Sequence, residues 1–493
     1  MSAIESAIES LEPRPVWQIF AGLSAVPRPS KREGRIRQHL KEVAEARGWK
    51  TEIDAIGNLV VKVPATPGHE SAPAVVLQAH MDMVTEKNSG TVHDFENEGI
   101  RLLVDRDAAG ETIVRADGTT LGADNGIGVA LAFAAGEPEV VHGPLELLIT
   151  VDEEEGMSGA ANVDASLLDG RVMLNLDTEE DHSIYIGCAG GCYADYTLSG
   201  AAEPLGGRET FKIAVSGLRG GHSGGDIHEG RGAATILLAR VLQAAGGDFA
   251  WVEAEAGSKL NAIPREAWAI VAGGGDLGGK LETAAARIEA EGRAESFEPG
   301  LEIRVEKADV PAAGALPAAE SRRLLQLLLA LPQGVIGMHP KIPSLVETSN
   351  NVATLKSRRE GGKLEFLVGL LARSSAESRM EELVAKLDSL AGLAGAEVKF
   401  SSRYPGWAPN LDSPVLALCR RVHQDLFGNE PKVAAVHAGL ECGILGERVP
   451  GLDMVSIGPR IEGAHSPDER VWVSSVGKSW DYLKALLAEL AKP

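Results

Sequence analysis

The stretch "LQAHMDMVTEKN" (Leu77–Asn88) decides how this chain is read. It continues the apolar run "APAVVLQA", which has the length and content of a strand buried on both faces. The run then breaks into His80, Met81 and Asp82. Residues two apart in an extended chain point to the same side, so His80 and Asp82 share a face at the strand's carboxyl end. That pair is either an exposed strand end or one corner of a catalytic site, and the neighbouring segments must separate the two.

Upstream, "SKREGRIRQHLKEVAEARG" carries apolar residues at helical spacing and stops at Gly48. Downstream, "LELLITV" and "RVMLNL" read as further buried strands, with the helical "GIGVALAFAAG" before them. Strands interleaved with helices predict an α/β sheet, mostly parallel and covered by helices. From about Cys192 the texture changes. "FKIAVSGL", "REAWAIVA", "GLEIRVEKA" and "KLEFLVGLLA" alternate more, as strands of a sheet exposed on one face do. Helices such as "GRGAATILLARVLQAAG" lie between them, and a recurring strand–loop–helix pattern suggests two similar halves. After "SSRYPGWAPN" the α/β texture returns. The expected division is therefore a first part of the α/β domain at 1–190, an inserted α+β segment at 191–404, and a second part at 405–493.

Composition narrows the function classes. The chain has 493 residues, 44% apolar and 24% charged, with a formal charge of −22. That charge repels a phosphate backbone and argues against nucleic acid, while tolerating cations. No apolar stretch is long enough to span a membrane, and the acidic "MSAIESAIESLEPRP" lacks the form of a signal peptide. A cytoplasmic location is expected. The four cysteines do not form a disulfide framework. Cys188 and Cys192 in "CAGGC" read as small buried thiols, since no second Cys/His pair completes a zinc site.

The other strand ends repeat the opening pattern. "LELLITV" leads into Asp152, Glu153, Glu154, Glu155 and Gly156, and "RVMLNL" into Asp177, Thr178, Glu179 and Glu180. His465 lies in the loop "PRIEGAHSPDERV" after "LDMVSIG", and Asp124 stands before a helix in "TTLGADNGIGVA". Singly, each has a plain explanation: solvated loop charge, a surface histidine, an N-cap aspartate. Together they place His and carboxylate groups at the strand ends where open α/β sheets bind ligands. Such a donor set without thiolates suits Zn²⁺ or similar ions, and two metals can share a bridging carboxylate. His80 would be a ligand and Asp82 would orient an imidazole. Of the adjacent Glu153 and Glu154, one would bind metal and the other take a proton from the attacking water.

These motifs resemble one family. "AHMDMV" (79–84), "TTLGADNGIGVA" (119–130), "TVDEEEGMSGA" (150–160), "NLDTEE" (175–180), "GGHSGGDIHEGRGAA" (220–234) and "GAHSPDERV" (463–471) are similar to the dizinc exopeptidases that include aminoacylase and peptidase T. Within them the chain most resembles the aminoacyl-histidine dipeptidase, carnosinase-like branch. The resemblance implies a zinc-exopeptidase-type catalytic domain with an inserted lid. It implies His80 and Asp177 as terminal ligands of one metal, Glu154 and His465 of the other, and Asp124 as the bridge, followed by a cis peptide bond. Asp82 would steer His80, and Glu153 would be the general base. His222 would stabilise the oxyanion, while Asn261 and Arg373 would hold the substrate's C-terminal carboxylate, for which Arg's planar fork is suited. Glu441 would attract the substrate's ammonium. The implied cofactors are two divalent ions, Zn²⁺ foremost, with Mn²⁺ or Co²⁺ also accepted by these ligands. The expected partner is a small peptide, and a homodimer through the lid is possible in such a family. The expected activity is hydrolysis of dipeptides, including Xaa-His dipeptides. The alternatives are a related hydrolase acting on tripeptides or N-acyl amino acids, or a non-catalytic binding homologue.

Overall fold

The structure, a computed structural model, describes residue 8 and residues 10–295, 298–310 and 314–492. The chain divides into two compact units. The first comprises Met1–Gly187, Pro409–Ala435 and Leu440–Pro493; the second comprises Cys188–Ala408 with Val436–Gly439.

The first unit is built on a mixed eight-stranded sheet. Its centre is parallel: Leu145–Thr150, Val75–His80, Val172–Asn175 and Asp453–Ser456 lie side by side in that order. Antiparallel strands Lys50–Ile53 and Leu59–Val63 extend one margin. Each central strand is buried on both faces, which explains the unbroken apolar runs. The two faces differ. Leu77, Ala79, Leu147, Ile149, Leu174 and Val455 point into the main aliphatic core with Phe20 and Phe133. The alternate residues, among them Gln78, Thr150, Asn175 and Ser456, occupy the opposite face, as the pleat requires.

The helix Ala123–Ala134 packs on the core face, nearly every residue buried. Gly128 lets it approach: a Cβ there would sit 2.5 Å from the Leu176 carbonyl oxygen. A separate four-stranded sheet pairs Ile461–Glu462 with Arg470–Trp472 and continues through Thr112–Ala116 to Leu102–Arg106. It anchors both ends of the loop that carries His465.

The second unit is a nine-stranded sheet with the helices Ala234–Ala245, Leu277–Glu295, Ala318–Ala330 and Glu377–Ala394. Its core gathers Trp251, Tyr196 and Phe366 with many leucines. Burying one such side chain stabilises a fold by roughly 1.5–3 kcal/mol. Two long strands escaped the sequence reading, Gly190–Ala201 and Val346–Glu360, which pair on either side of Lys363–Ser374. No helix among the described residues is long and apolar enough to cross a membrane.

Candidate active site

The parallel strands deliver their side chains to one edge of the first unit. His80 ends its strand and is 1% exposed. Its Nε2 lies 3.1 Å from Asp124 Oδ1 and 3.4 Å from Asp177 Oδ1, and its Nδ1 lies 3.4 Å from Asp82 Oδ1. The other Asp124 oxygen lies 3.2 Å from His465 Nε2, which is 3.0 Å from Glu154 Oε2. One carboxylate thus stands between two imidazoles, each of which has a further carboxylate of its own.

Three overlapping donor sets result: His80 with Asp124 and Asp177, Asp124 with Glu154 and His465, and His80 with Glu153 and Glu154. Asp177 Oδ1 and Glu154 Oε1 are buried without hydrogen-bond partners. Orphaned carboxylate oxygens among imidazole nitrogens are what a site for cations requires, so these residues fit two divalent ions. Cys188 and Cys192 are buried and belong to no such set among the described residues.

Electrostatics agree with that fit. Burial opposes a charge on His80, but Asp177, Asp124 and Asp82 raise its pKa well above the ordinary imidazole value. Asp124 and Glu154 push His465 up to about 11. Burial raises Asp177 to about 6, and burial with surrounding carboxylates lifts Glu153 well above the usual range. Protons compensate a surplus of buried carboxylate here, and cations would replace them. His465 is 56% exposed and forms the open side of the cluster.

The backbone is held by groups of its own. Asp82 is fully buried and accepts from Ser30 Oγ at 2.7 Å, Glu153 N–H at 3.1 Å and Glu154 N–H at 3.2 Å. It therefore holds the turn after the neighbouring strand and, at 3.4 Å, faces the His80 ring. Asp152, which opens that turn, adopts φ +53°. Asp124 does not spend its carboxylate on capping the helix: its two oxygens face His80 and His465, and its φ/ψ of −79°/109° interrupt the helical run. The peptide bond after it is cis, as the resemblance implied. Glu469 accepts the N–H groups of Leu121, Gly122, Ala123 and Asp124 at 2.7–3.2 Å. Arg28, 3% exposed, donates to the carbonyls of Met81, Asp82 and Gly122. Sequence reading missed both. Glu469 lay inside a quoted motif, but nothing local to Arg28 signals its role.

Glu441 is not where the sequence reading put it. It is 1% exposed and accepts from Gln78 Nε2 and Thr150 Oγ1, each at 2.6 Å. A carboxylate so enclosed does not present itself to a substrate ammonium. Glu180 is likewise engaged, with Tyr185 and Lys432.

Three expected residues lie in the second unit. His222 Nδ1 accepts from the N–H groups of Gly224 and Gly225 at 3.2 and 3.0 Å, so a neutral ring carries its hydrogen on Nε2. Arg373 is 4% exposed, with Nε 3.5 Å from Ser223 Oγ and Nη1 donating to Tyr404 Oη at 3.2 Å. No carboxylate pairs with it among the described residues. His437, another residue the sequence reading passed over, is buried with Nε2 2.7 Å from Ser349 Oγ. Burial and the charge of Arg373 push its pKa down to about 3. Asn261 is exposed at a turn, where its carbonyl accepts from Ser223 N–H at 2.8 Å.

Known proteins resemble this chain in sequence and fold. The family model for peptidase family M20/M25/M40 matches residues 76–489. The cytosol non-specific dipeptidase of Escherichia coli (strain K12) is 42% identical, with 98% of this chain and 99% of that protein covered. The crystal structure of aminoacylhistidine dipeptidase from Vibrio alginolyticus superposes with a TM-score of 0.85 at 40% identity, covering 98% of each chain. At the level of fold alone, the aminopeptidase PepT of Bacillus cereus matches with a TM-score of 0.62 at 17% identity, over 98% of this chain and 100% of that one.

Proposed function

This chain belongs to peptidase family M20/M25/M40, and from that premise we propose that it is a dipeptidase using two divalent metal ions. The observation that carries the reading is the Asp124 carboxylate between His80 and His465, with the orphaned oxygens of Asp177 and Glu154 beside it. His80 and Asp177 would hold one ion, Glu154 and His465 the other, and Asp124 both. Such ions polarise a peptide carbonyl and acidify water. Zn²⁺ is the first choice, and Mn²⁺ or Co²⁺ suit the same donors.

The chain's own groups do the rest. Glu153 takes a proton from the attacking water and passes it to the departing amine. Asp82 keeps the His80 ring oriented. His222 donates from Nε2 to the developing oxyanion. Arg373 receives the substrate's C-terminal carboxylate, a role supported by a buried guanidinium whose partners among the described residues are hydroxyls. Asn261 donates to the same carboxylate. Substrates are dipeptides, Xaa-His dipeptides among them. We place the enzyme in the cytosol, and as a homodimer through the second unit, whose Gly334–Met338 strand leaves Val335, Ile336 and Met338 exposed.

The test is hydrolysis of a panel of dipeptides, tripeptides and N-acyl amino acids, with chelator and with each metal restored. Dipeptide cleavage abolished by chelator and recovered with metal is expected. Cleavage confined to tripeptides or acylated substrates, or unaffected after verified metal removal, would overturn the reading.

A further inference from the structure

The sheet face opposite the main core carries a continuous buried line of polar side chains that the mechanism above leaves unused. Thr178, Ser456, Asn175, Gln78 and Thr150 form it, each at most 5% exposed, and it ends on Glu441. Register explains the line. Gln78 and Ser456 are both cross-strand partners of Asn175, and Thr150 is the partner of His80.

The hydrogen bonds run one way. Gln78 Nε2 and Thr150 Oγ1 both donate to Glu441 Oε2 at 2.6 Å. With its amide so turned, Gln78 presents Oε1 to Asn175 Nδ2. Asn175 then presents Oδ1 to the Ser456 hydroxyl. That hydroxyl's hydrogen is used, so Thr178 Oγ1 must donate to Ser456 Oγ, at 2.7 Å. Every hydrogen points toward Glu441. Reversing Gln78 would set its oxygen against the carboxylate and N–H against N–H, and reversing Asn175 would set its oxygen against that of Gln78. One anion therefore dictates the order of the whole line.

The line lies directly beneath the cluster. Gln78 is two residues before His80, and Asn175 two before Asp177. Thr150 is three before Glu153, and Thr178 follows Asp177. Glu441 itself heads the helix Glu441–Arg448, where the helix dipole favours a carboxylate. Its Oε1 is buried without a partner. A buried charge with one unused oxygen is costly to keep for packing alone, because a neutral side chain could fill the same space.

We propose that Glu441 is a positioning residue for the metal cluster: its buried negative charge aligns the polar line that sets the heights of the His80, Glu153 and Asp177 strand ends, and adds to the field that attracts cations there. This rests on the reading of the cluster as a two-metal site.

Glu441→Gln separates charge from shape, since its amide oxygen can still accept from Gln78 and Thr150. Zinc titration and thermal melting of the full chain, with and without metal, at about pH 8 provide the test. The expected result is a loss of metal affinity of about ten- to a hundredfold. The metal-free variant should melt at or above the wild-type temperature, because a repulsive carboxylate has been removed. A residue that merely supports the fold would lower melting in both forms and leave affinity unchanged, and that outcome overturns the proposal. Should Glu441→Gln fail to fold, Thr150→Val removes one donor to Glu441. Reduced affinity in it supports the proposal, and unchanged affinity overturns it. Wild-type protein that binds no metal would instead sink the underlying two-metal reading.

Discussion

Replacing Asp82 with Asn changes one atom and tests how the cluster is held. The carboxylate has two working oxygens. Oδ1 accepts from Glu153 N–H at 3.1 Å and faces His80 Nδ1 at 3.4 Å. Oδ2 accepts from Ser30 Oγ at 2.7 Å and Glu154 N–H at 3.2 Å. An amide NH₂ placed at Oδ1 would meet the Glu153 N–H and the His80 ring together. Placed at Oδ2 it meets only the Glu154 N–H, because the Ser30 hydroxyl can turn and accept. The second orientation is therefore adopted, and the Glu154 N–H loses its partner. A bond to a charged group is worth about 1.5–3 kcal/mol, and the surviving bond to Glu153 weakens as its acceptor becomes neutral. The sum is about 3 kcal/mol. For a domain of this size that lowers the melting temperature by on the order of 6 °C. Glu154, freed at its backbone, should also hold metal about ten- to a hundredfold less well. Calorimetry of the metal-free protein and a zinc titration measure the two effects separately. An Asp82→Asn protein that melts within a degree of wild type and binds zinc equally would refute the argument.

Glu153→Gln should retain its metals by elemental analysis yet lose about a hundred- to ten-thousandfold in turnover; near-normal kcat would remove Glu153 as the base. Gly224→Ala sets a Cβ 2.2 Å from the His437 carbonyl oxygen and 3.1 Å from the His222 ring, so the loop must move. A cost of about 1–3 kcal/mol and lower kcat are expected, read by melting and steady-state kinetics. His437 is buried neutral with its pKa depressed to about 3, so the unfolded chain binds the extra proton between that value and its ordinary one. Stability should fall as pH drops through this window, by about 1.4 kcal/mol per unit from this residue. In His437→Gln that contribution disappears, so denaturant midpoints measured across the window should fall less steeply than in wild type.

Strand ends were the legible part of the site, because an apolar run that stops at a His or an acid reports its own boundary. His80, Asp124, Glu154, Asp177 and His465 come together in space from that signal and the family resemblance. What holds them was not legible. Glu469 reaches back to residues 121–124 and Glu441 to Gln78 and Thr150, and such bonds depend on topology rather than on neighbours in sequence. The strand Val346–Glu360 was missed for a related reason. Thr348, Ser349, Asn350 and Asn351 are all buried, so polar residues occupy both faces and alternation vanishes. Their partners are the Pro332, Leu260 and Ala262 carbonyls, Ser374 and His437. Periodicity recognises apolar burial and is blind to this kind.

The order of the sheet has a consequence for how the protein is made. Asp453–Ser456 lies between Val172–Asn175 and Ser183–Cys188, so a strand from the far end of the chain fills a slot in the middle. On the ribosome, residues 1–187 emerge with that slot empty and wait while 188–408 are synthesised. At ordinary elongation speeds the wait is on the order of ten to forty seconds. The second unit is nearly contiguous and can fold in that interval. His465 arrives after the slot is filled, which makes the cluster of His and carboxylate groups one of the last things the nascent chain can assemble. On the proposed reading of that cluster, a peptidase built in this order would have no working site while its own unfolded segments are still exposed beside it.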